Sequence, residues 1–208
     1  MIKNVLFDMG SVLVVYDPKE FLRRMGPDDP ADRTLLMQEL FHSWEWIALD
    51  RGALTEAQFI DIVKARTPER LHEAVERLVL HWDDDLLQVE GMEPLVRELS
   101  EAGYQLYLLT NAGPRHHEYW PRFSVARYFP ADHIYRSCDY LTLKPEREFY
   151  EGALARFALD RKECVFIDDS TPNAEAAVRL GLDSIVFQGD AEHLRGKLAE
   201  KGVVLPTK

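Results

Sequence analysis

The stretch VLFDMGSVLVVYD, residues 5–17, carries the pattern of a buried strand that ends on an acid. Three apolar residues lead into Asp8, and apolar residues resume after Gly10 and Ser11. An apolar run of this kind is typical of a strand covered on both faces of a parallel sheet. The residue that follows such a strand faces the crevice in which these sheets bind ligands. The stretch therefore predicts a first strand that presents Asp8 to a functional site.

Further apolar runs along the chain define the rest of the sheet. Helical periodicity separates these runs after residue 90, as in GMEPLVRELSEAG (91–103), and alternating strands and helices predict right-handed crossovers between parallel strands. We therefore predict an α/β fold, a Rossmann-like parallel sheet with helices on both faces. The predicted strands are VLF before Asp8, YQLYLL (104–109), CVFI (164–167), SIVF (184–187) and, with weaker patterning, HIYRS (133–137).

Between residues 17 and 90 the alternation of strands and helices stops. Proline and glycine commonly interrupt regular structure, and the Asp17-Pro18 pair and Gly91 mark the two boundaries of this region. The sequence predicts a core domain of residues 1–16 and 91–208, and an all-helical insert of residues 17–90 placed after the first strand. The helical segments within the insert are PKEFLRRM, DRTLLMQELFHSWEWIAL, TEAQFIDIVKAR and RLHEAVERLVLHW.

Composition restricts the classes of function. The chain has 208 residues and a formal net charge of −11, and an acidic surface repels phosphate backbones, so nucleic acid is not an expected partner. Its two cysteines, Cys138 and Cys164, stand in no metal-type spacing and suit a reducing compartment. The N-terminal apolar run is too short for a signal peptide, and no run approaches the roughly 20 residues that span a bilayer. We expect a cytoplasmic protein with no membrane partner.

Four segments bring reactive side chains to the predicted carboxyl edge of the sheet. They are Asp8 after VLF, Thr110 and Asn111 after YQLYLL, Asp168 and Asp169 after CVFI, and Lys144 in TLKPEREFY (142–150). Taken singly, each has a structural explanation as a helix cap, a turn residue or a solvated lysine. Together they indicate one site, because the carboxyl ends of parallel strands share one crevice.

The chemistry of this set favours phosphoryl transfer assisted by a metal ion. Carboxylates about 4 Å apart repel by roughly 4 kcal/mol at an effective dielectric constant near 20, and a hard divalent cation such as Mg²⁺ removes that cost. Asp8 is ionised at neutral pH and could attack phosphorus directly to form an aspartyl phosphate. Lys144 would hold the charge of the transferring group, Thr110 can donate a hydrogen bond to a phosphate oxygen, and the Asn111 amide can orient either of these partners. Gly10 permits close approach of the backbone, and its carbonyl is a plausible metal ligand.

These motifs resemble those of the haloacid dehalogenase-like hydrolase superfamily, in the subgroup with a helical cap inserted after the first strand. The matching segments are FDMGSVL (7–13), LLTN (108–111), LKPEREFY (143–150) and VFIDDSTPN (165–173). The resemblance implies that Asp8 is the nucleophile and that the substrate is a small phosphorylated metabolite. The implied Mg²⁺ ligands are Asp8, the Gly10 carbonyl and Asp169, with Asp168 binding directly or through water. The implied phosphate-binding residues are Thr110, Asn111 and Lys144.

One position departs from the family pattern. Phosphatases of this family usually carry a second aspartate two residues after the first, which protonates the leaving group and later activates water, but this chain has Gly10 there. Such acid–base help is worth roughly 10²–10⁴-fold in rate. A sugar 1-phosphate lessens the need for it, because an anomeric oxygen leaves readily. The chain resembles the α-D-glucose-1-phosphate phosphatase branch, which has glycine in this place and a segment similar to LDRGALTEAQF (49–59), so a hexose 1-phosphate is the expected substrate.

Two other functions stay open on the sequence. A 2-haloacid dehalogenase also lacks the second aspartate and needs no metal, but such enzymes usually have a bulky residue and a serine where this chain has Gly10 and Thr110. A non-catalytic binding protein would fit the loss of one acid, although Asp8, Lys144 and the acid pair of the fourth motif are retained.

The helical insert should cover the site, exclude water and supply specificity. Within it, Arg51 precedes a glycine and is the candidate for binding a substrate phosphate or hydroxyl group. Trp44 and Trp46 are two residues apart, so on a helix they diverge and at most one of them should face the site.

Overall fold

The sheet has five strands, all parallel. In the computed structural model, which describes residues 1–205, they are β1 (Asn4–Phe7), β2 (Gln105–Thr110), β3 (Ile134–Arg136), β4 (Cys164–Asp168) and β5 (Asp183–Val186). Their spatial order is β3-β2-β1-β4-β5, so the chain builds outward from β1 on one side and then on the other. This confirms the predicted α/β class. The reversal of strand order beside β1 is the place where such sheets bind ligands.

The central strand β1 brings its end level with the end of β4. Residues 5–7 are fully buried, as a near-continuous apolar run predicts. Parallel pairing sets Phe7 of β1 opposite Ile167 of β4. Since Asp8 and Asp168 are the next residues along the two neighbouring strands, they reach the carboxyl edge of the sheet at the same height.

α-Helices cover both faces of the sheet and form the insert. They are α1 (Pro18–Met25), α2 (Pro30–Leu36), α3 (Trp44–Asp50), α4 (Glu56–Arg66), α5 (His72–Leu80), α6 (Met92–Glu101), α7 (His116–Tyr119), α8 (Ser137–Tyr140), α9 (Arg147–Arg156), α10 (Thr171–Arg179) and α11 (Ala191–Glu200). Apolar side chains of α6 and α11 pack on one face of the sheet, and those of α9 and α10 on the other. Over residues 1–205, every helix is too short or too polar to cross a membrane.

The helices α1 to α5 share an apolar cluster of their own. Phe59 and Leu78 are fully buried in it, and Phe21 is 3% exposed. The division into a core of residues 1–16 and 91–208 and a helical insert of residues 17–90 stays a prediction. Residues 206–208 of that core lie outside the part of the chain that the structure describes.

The helical insert differs from the sequence prediction at one place. Residues 32–49 carry the pattern of one helix, but the chain forms α2, a π-helical segment (Met37–Phe41) and then a separate α3. The backbone of Ser43 is extended, and its hydroxyl accepts the Trp46 backbone N–H at 3.2 Å. This N-cap starts a new helix. On it, Trp46 is buried while Trp44 is 66% exposed.

Candidate active site

Lys144 joins two of the predicted site carboxylates. Its Nζ lies 2.7 Å from Oδ1 of Asp8 and 2.7 Å from Oδ2 of Asp168, and its side chain is 1% exposed. Burial alone would lower the pKa of Lys144, but the two carboxylates raise that pKa above its ordinary value, so the ammonium stays charged. One positive charge therefore fixes both acids at the end of the sheet.

Asp168 is held by several donors besides Lys144. Its Oδ1 accepts the Ser170 backbone N–H at 2.8 Å and the Asn173 side-chain amide at 3.0 Å. The residue is fully buried, so these contacts satisfy oxygens that water does not reach. Asn173 was not a predicted site residue, although it stands five residues after Asp168 in VFIDDSTPN and its amide is the type of group that orients a carboxylate.

Asn111 positions the backbone that carries Lys144. Its Nδ2 donates to the Lys144 carbonyl at 2.9 Å, and its Oδ1 accepts the Lys144 N–H at 2.8 Å. Both ends of the amide are therefore engaged, and the residue holds the lysine loop against the end of β2. Thr110 ends β2 and is 1% exposed. The structure brings Asn111 and Lys144 together, and phosphate binding by Thr110 and Asn111 stays a prediction.

Three carboxylates gather at this edge. Oxygens of Asp8, Asp168 and Asp169 lie within 4.8 Å of one another. Burial raises the pKa of Asp8 to about 7 against the pull of Lys144, so Asp8 is not fully ionised at pH 7, which differs from the sequence prediction. Burial followed by the Asp168 charge raises the pKa of Asp169. Fully ionised, three carboxylates and one ammonium carry a formal charge of −2. A donor set of oxygens with that charge fits Mg²⁺, which prefers carboxylates and water.

A lack of space does not explain the glycine at position 10. A Cβ built there would meet only the Cβ of Tyr16 within 4 Å, at 3.8 Å, which is an ordinary contact. The next residue, Ser11, has a φ of 56°, and its side chain forms a hydrogen bond with Asp169. Packing therefore leaves room for a Cβ at position 10, so the glycine is not explained by crowding of the backbone there.

A cavity of about 320 Å³ opens onto Asp8, Lys144 and Asp169. The aromatic side chains of its walls are Tyr16, Phe41, Trp46, Trp82 and Tyr119. Trp46 reaches the cavity and Trp44 does not, which confirms the prediction that at most one of the two faces the site. Aromatic faces of this kind suit a leaving group with a ring or another apolar surface.

Polar groups on the cavity wall are largely engaged with one another. Arg115 forms a bidentate pair with Glu56, with N–O distances of 2.7 and 2.9 Å. The Arg136 Nε donates to Nδ1 of His116 at 2.7 Å, so the hydrogen of that imidazole is on Nε2. Burial, followed by the Arg136 charge, lowers the pKa of His116 well below its ordinary value and keeps it neutral. The remaining acid on this wall is Asp50, at the end of α3.

Arg51 is not among the residues that line the cavity. Its Nη1 donates to the Glu146 carboxylate at 2.9 Å and to the Leu141 carbonyl at 3.2 Å, and Nη2 makes a second contact with Glu146. The structure thus pairs Arg51 with Glu146 outside the lining of this cavity, and substrate binding by Arg51 stays a prediction. The guanidinium holds the helical insert against the segment before α9.

The parallel sheet and the acids at its carboxyl edge define a Rossmann-like α/β enzyme with its site at the reversal of strand order. The chain belongs to the haloacid dehalogenase-like hydrolase family, whose family model matches residues 2–181. It is therefore a hydrolase, and the superfamily that the motifs resemble is confirmed.

Named relatives cover most of the chain. Flavin mononucleotide hydrolase 1 of Arabidopsis thaliana is 24% identical over 207 residues, which is 96% of this chain and 77% of the relative. The sesquiterpene phosphatase astK of Aspergillus oryzae is 32% identical over 194 residues, which is 86% of this chain and 87% of the relative. A HAD family enzyme of Bacteroides thetaiotaomicron, solved in complex with magnesium and inorganic phosphate, has a TM-score of 0.70 and 25% identity, covering 93% of this chain and 99% of that chain.

Proposed function

We propose that this protein is a Mg²⁺-dependent phosphomonoester hydrolase that acts on a small phosphorylated metabolite through an aspartyl phosphate at Asp8. The observation that carries the proposal is the buried Lys144 ammonium, 2.7 Å from both Asp8 and Asp168. A fixed positive charge beside the nucleophile stabilises the charge that develops on a transferring phosphoryl group. The names of the two relatives, and the magnesium and phosphate in the Bacteroides structure, support this assignment.

The residues of this chain have separate tasks in the proposed reaction. An Asp8 oxygen attacks phosphorus, the bond from phosphorus to the leaving oxygen breaks, and that oxygen takes up a proton. Water then attacks the phosphorus of the aspartyl phosphate, which releases inorganic phosphate and frees Asp8. Lys144 and the Thr110 hydroxyl would contact the phosphoryl oxygens, and Asn111 keeps the lysine loop in position.

The proposed magnesium ligands are Asp8, the Gly10 carbonyl and Asp169. A bound ion would neutralise negative charge on the phosphoryl group and orient it. Asp168 already accepts hydrogen bonds from Lys144, Ser170 and Asn173. That leaves little capacity for a direct bond to an ion, so we propose that Asp168 acts through water.

The finer proposal is that the substrate is a hexose 1-phosphate. Its anomeric oxygen leaves readily, which suits a site with Gly10 in place of a second acid. Aromatic rings such as Trp46 and Tyr119 can pack on the apolar faces of a sugar. The same rings favour a second candidate, a flat or apolar phosphate ester, in line with the names of the flavin mononucleotide hydrolase and the sesquiterpene phosphatase.

A phosphate-release screen tests both levels of the proposal. The panel contains hexose 1-phosphates, hexose 6-phosphates, flavin mononucleotide and farnesyl phosphate, each assayed with Mg²⁺ and with EDTA. We expect turnover that needs Mg²⁺ and that Asp8→Asn abolishes, with the ranking of esters naming the substrate class. Metal-independent halide release from 2-haloacids would replace the phosphatase by a dehalogenase. A folded protein that turns over neither class would be a binding protein.

We also propose a cytoplasmic location. Both cysteines are free: Cys138 is partly buried and Cys164 is fully buried. Free thiols suit a reducing compartment. Localisation of the tagged chain by fluorescence or fractionation tests this.

A further inference from the structure

The proposed reaction needs a proton donor that Gly10 cannot be. Within the described residues, the carboxyl groups that line the cavity are Asp8, Asp50, Glu56 and Asp169. Asp8 and Asp169 belong to the acid cluster at the sheet edge, and the Glu56 carboxylate accepts hydrogen bonds from Nε and Nη2 of Arg115. This elimination leaves Asp50, which forms no ion pair within residues 1–205.

We propose that Asp50, supplied by the helical insert, is the general acid–base residue of this enzyme in place of the acid absent at Gly10. The inference rests on the proposed phosphatase function, since it concerns the leaving group of the same reaction. A general acid or base must reach the proton directly or through one water, and Asp50 lines the cavity that contains Asp8.

The position of Asp50 is fixed on the core of the protein. Its backbone carbonyl accepts the hydroxyl of Ser137 at 2.5 Å, and the same hydroxyl oxygen accepts the Ala112 N–H at 2.8 Å. A Cβ built on Gly113 would lie 3.7 Å from Oδ1 of Asp50, so the carboxyl faces the loop after β2. Gly52 approaches Cys138 so closely that a Cβ there would lie 2.6 Å from its carbonyl oxygen. These contacts hold the end of α3, and with it Asp50, against the core beside the cavity that Asp8 also lines.

The surroundings of Asp50 suit a group that both gives and takes a proton. Burial raises its pKa to about 7, while hydrogen bonds from the Gly113 backbone and the Trp46 indole oppose the shift. The titratable and charged groups around it are Tyr16, Tyr119 and Cys138, with Glu56, Arg115 and His116 elsewhere on the cavity wall. His116 is neutral and Arg115 is paired with Glu56, so no unpaired cation among these groups favours the carboxylate. Both forms are therefore populated near neutral pH, as acid–base catalysis needs.

Asp50 donates a proton in the first step of the reaction and takes one up in the second. In the first step the protonated carboxyl gives its proton to the ester oxygen as the bond from phosphorus to that oxygen breaks and Asp8 becomes phosphorylated. In the second step the Asp50 carboxylate takes a proton from the attacking water. The phosphorus–Asp8 bond breaks, inorganic phosphate leaves, and Asp50 is protonated again.

A comparison of two esters of similar shape tests the assignment. p-Nitrophenyl phosphate releases a stable anion that needs no proton, whereas benzyl phosphate releases an alkoxide that does. We expect Asp50→Asn to lower kcat/KM for benzyl phosphate by roughly 10²–10⁴-fold and for p-nitrophenyl phosphate by less than about tenfold. Equal losses on the two esters would mean that Asp50 only holds the structure, and would overturn the proposal. The matched variant Glu56→Gln removes the other carboxylate of this wall. It should change kcat/KM for benzyl phosphate and for p-nitrophenyl phosphate by the same factor.

Rescue at position 10 gives a second readout. Since a Cβ at position 10 meets only an ordinary contact, Gly10→Asp in the Asp50→Asn background should restore benzyl phosphate hydrolysis at least about tenfold, and Gly10→Ala should not. No recovery by the acid, or equal recovery by alanine, would contradict the proposal.

A measurement on the unmodified enzyme covers the case in which the variants do not fold. Because the protonated form is the acid, kcat/KM for benzyl phosphate should fall as the pH rises above about 7, the raised pKa of Asp50, and kcat/KM for p-nitrophenyl phosphate should not. Parallel profiles would overturn the assignment. An unmodified enzyme that hydrolyses neither these two esters nor any member of the phosphate-ester panel in Mg²⁺ would overturn the phosphatase proposal itself, and with it this one, whereas parallel profiles in an active enzyme overturn only the role of Asp50.

Discussion

Replacing Lys144 by methionine should destabilise the protein strongly. The change keeps the length of the side chain and removes the charge that lies 2.7 Å from both Asp8 and Asp168. Removing one partner of a buried ion pair costs about 3–5 kcal/mol, because the other charge is left unpaired. Asp168 keeps the donors Ser170 and Asn173, which points to the lower end, about 3 kcal/mol. For a chain of this length that corresponds to a fall in Tm of roughly 6–12 °C.

Urea unfolding at pH 7 without Mg²⁺ measures this loss. The matched control is Lys3→Met, since Lys3 pairs with Glu163 at 2.6 Å but its side chain is 62% exposed, and such surface pairs are worth about 1 kcal/mol or less. The double variant Lys144→Met with Asp168→Asn should recover about 1 kcal/mol or more, because the deeper unpaired acid is then neutral. The reasoning fails if Lys144→Met costs no more than Lys3→Met, or if the double variant is less stable than Lys144→Met alone.

Three further variants test the positions of other side chains. Asn111→Ala removes both hydrogen bonds to the Lys144 backbone, so it should lower the free energy of unfolding in urea by about 1–3 kcal/mol and raise KM. An unchanged KM would mean that Asn111 does not position the lysine loop. Arg51→Ala breaks a partly exposed ion pair with Glu146, so the unfolding free energy of the protein should fall by about 1 kcal/mol or less. A loss of kcat/KM beyond roughly 100-fold would instead indicate that Arg51 binds the substrate phosphate. Gly10→Ala should shift the unfolding free energy by less than about 1 kcal/mol, since its Cβ has room, and a larger loss would show hidden crowding.

The placement of the strand-end groups could be predicted from the sequence because it depends on local pattern. Apolar runs predict buried parallel strands, and parallel strands end at one edge, which is enough to bring Asp8 and Asp168 together. The break before α3 also had a local signal, since Ser43 stands three residues before the Trp46 N–H that it caps. The apolar periodicity of residues 32–49 favours one helix, and the Ser43 N-cap outweighs it.

The partners of the insert residues could not be predicted in this way. Arg51 and Glu146 are 95 residues apart, and no local sequence pattern near either residue predicts the other as its partner. A cation before a glycine suits substrate binding or an ion pair equally well, and only the packing of the insert on the core decides between them. Asp50 lies beside Arg51 in LDRGALT, but its burial and its contact with the Gly113 loop exist only when α3 lies on the core.

Moving the acid from position 10 to the helical insert would change what controls the reaction. An aspartate at position 10 belongs to the loop after β1 and would be present in every arrangement of the insert. Asp50 faces the cavity only while α3 is held to the core, through the Ser137 hydroxyl and the close approach of Gly52 to Cys138. In that case proton transfer depends on contact between the insert and the core. Esters whose leaving group keeps the insert away from the core are then not hydrolysed, even though Asp8 can reach their phosphorus. The glycine would then select among substrates as well as lower the rate.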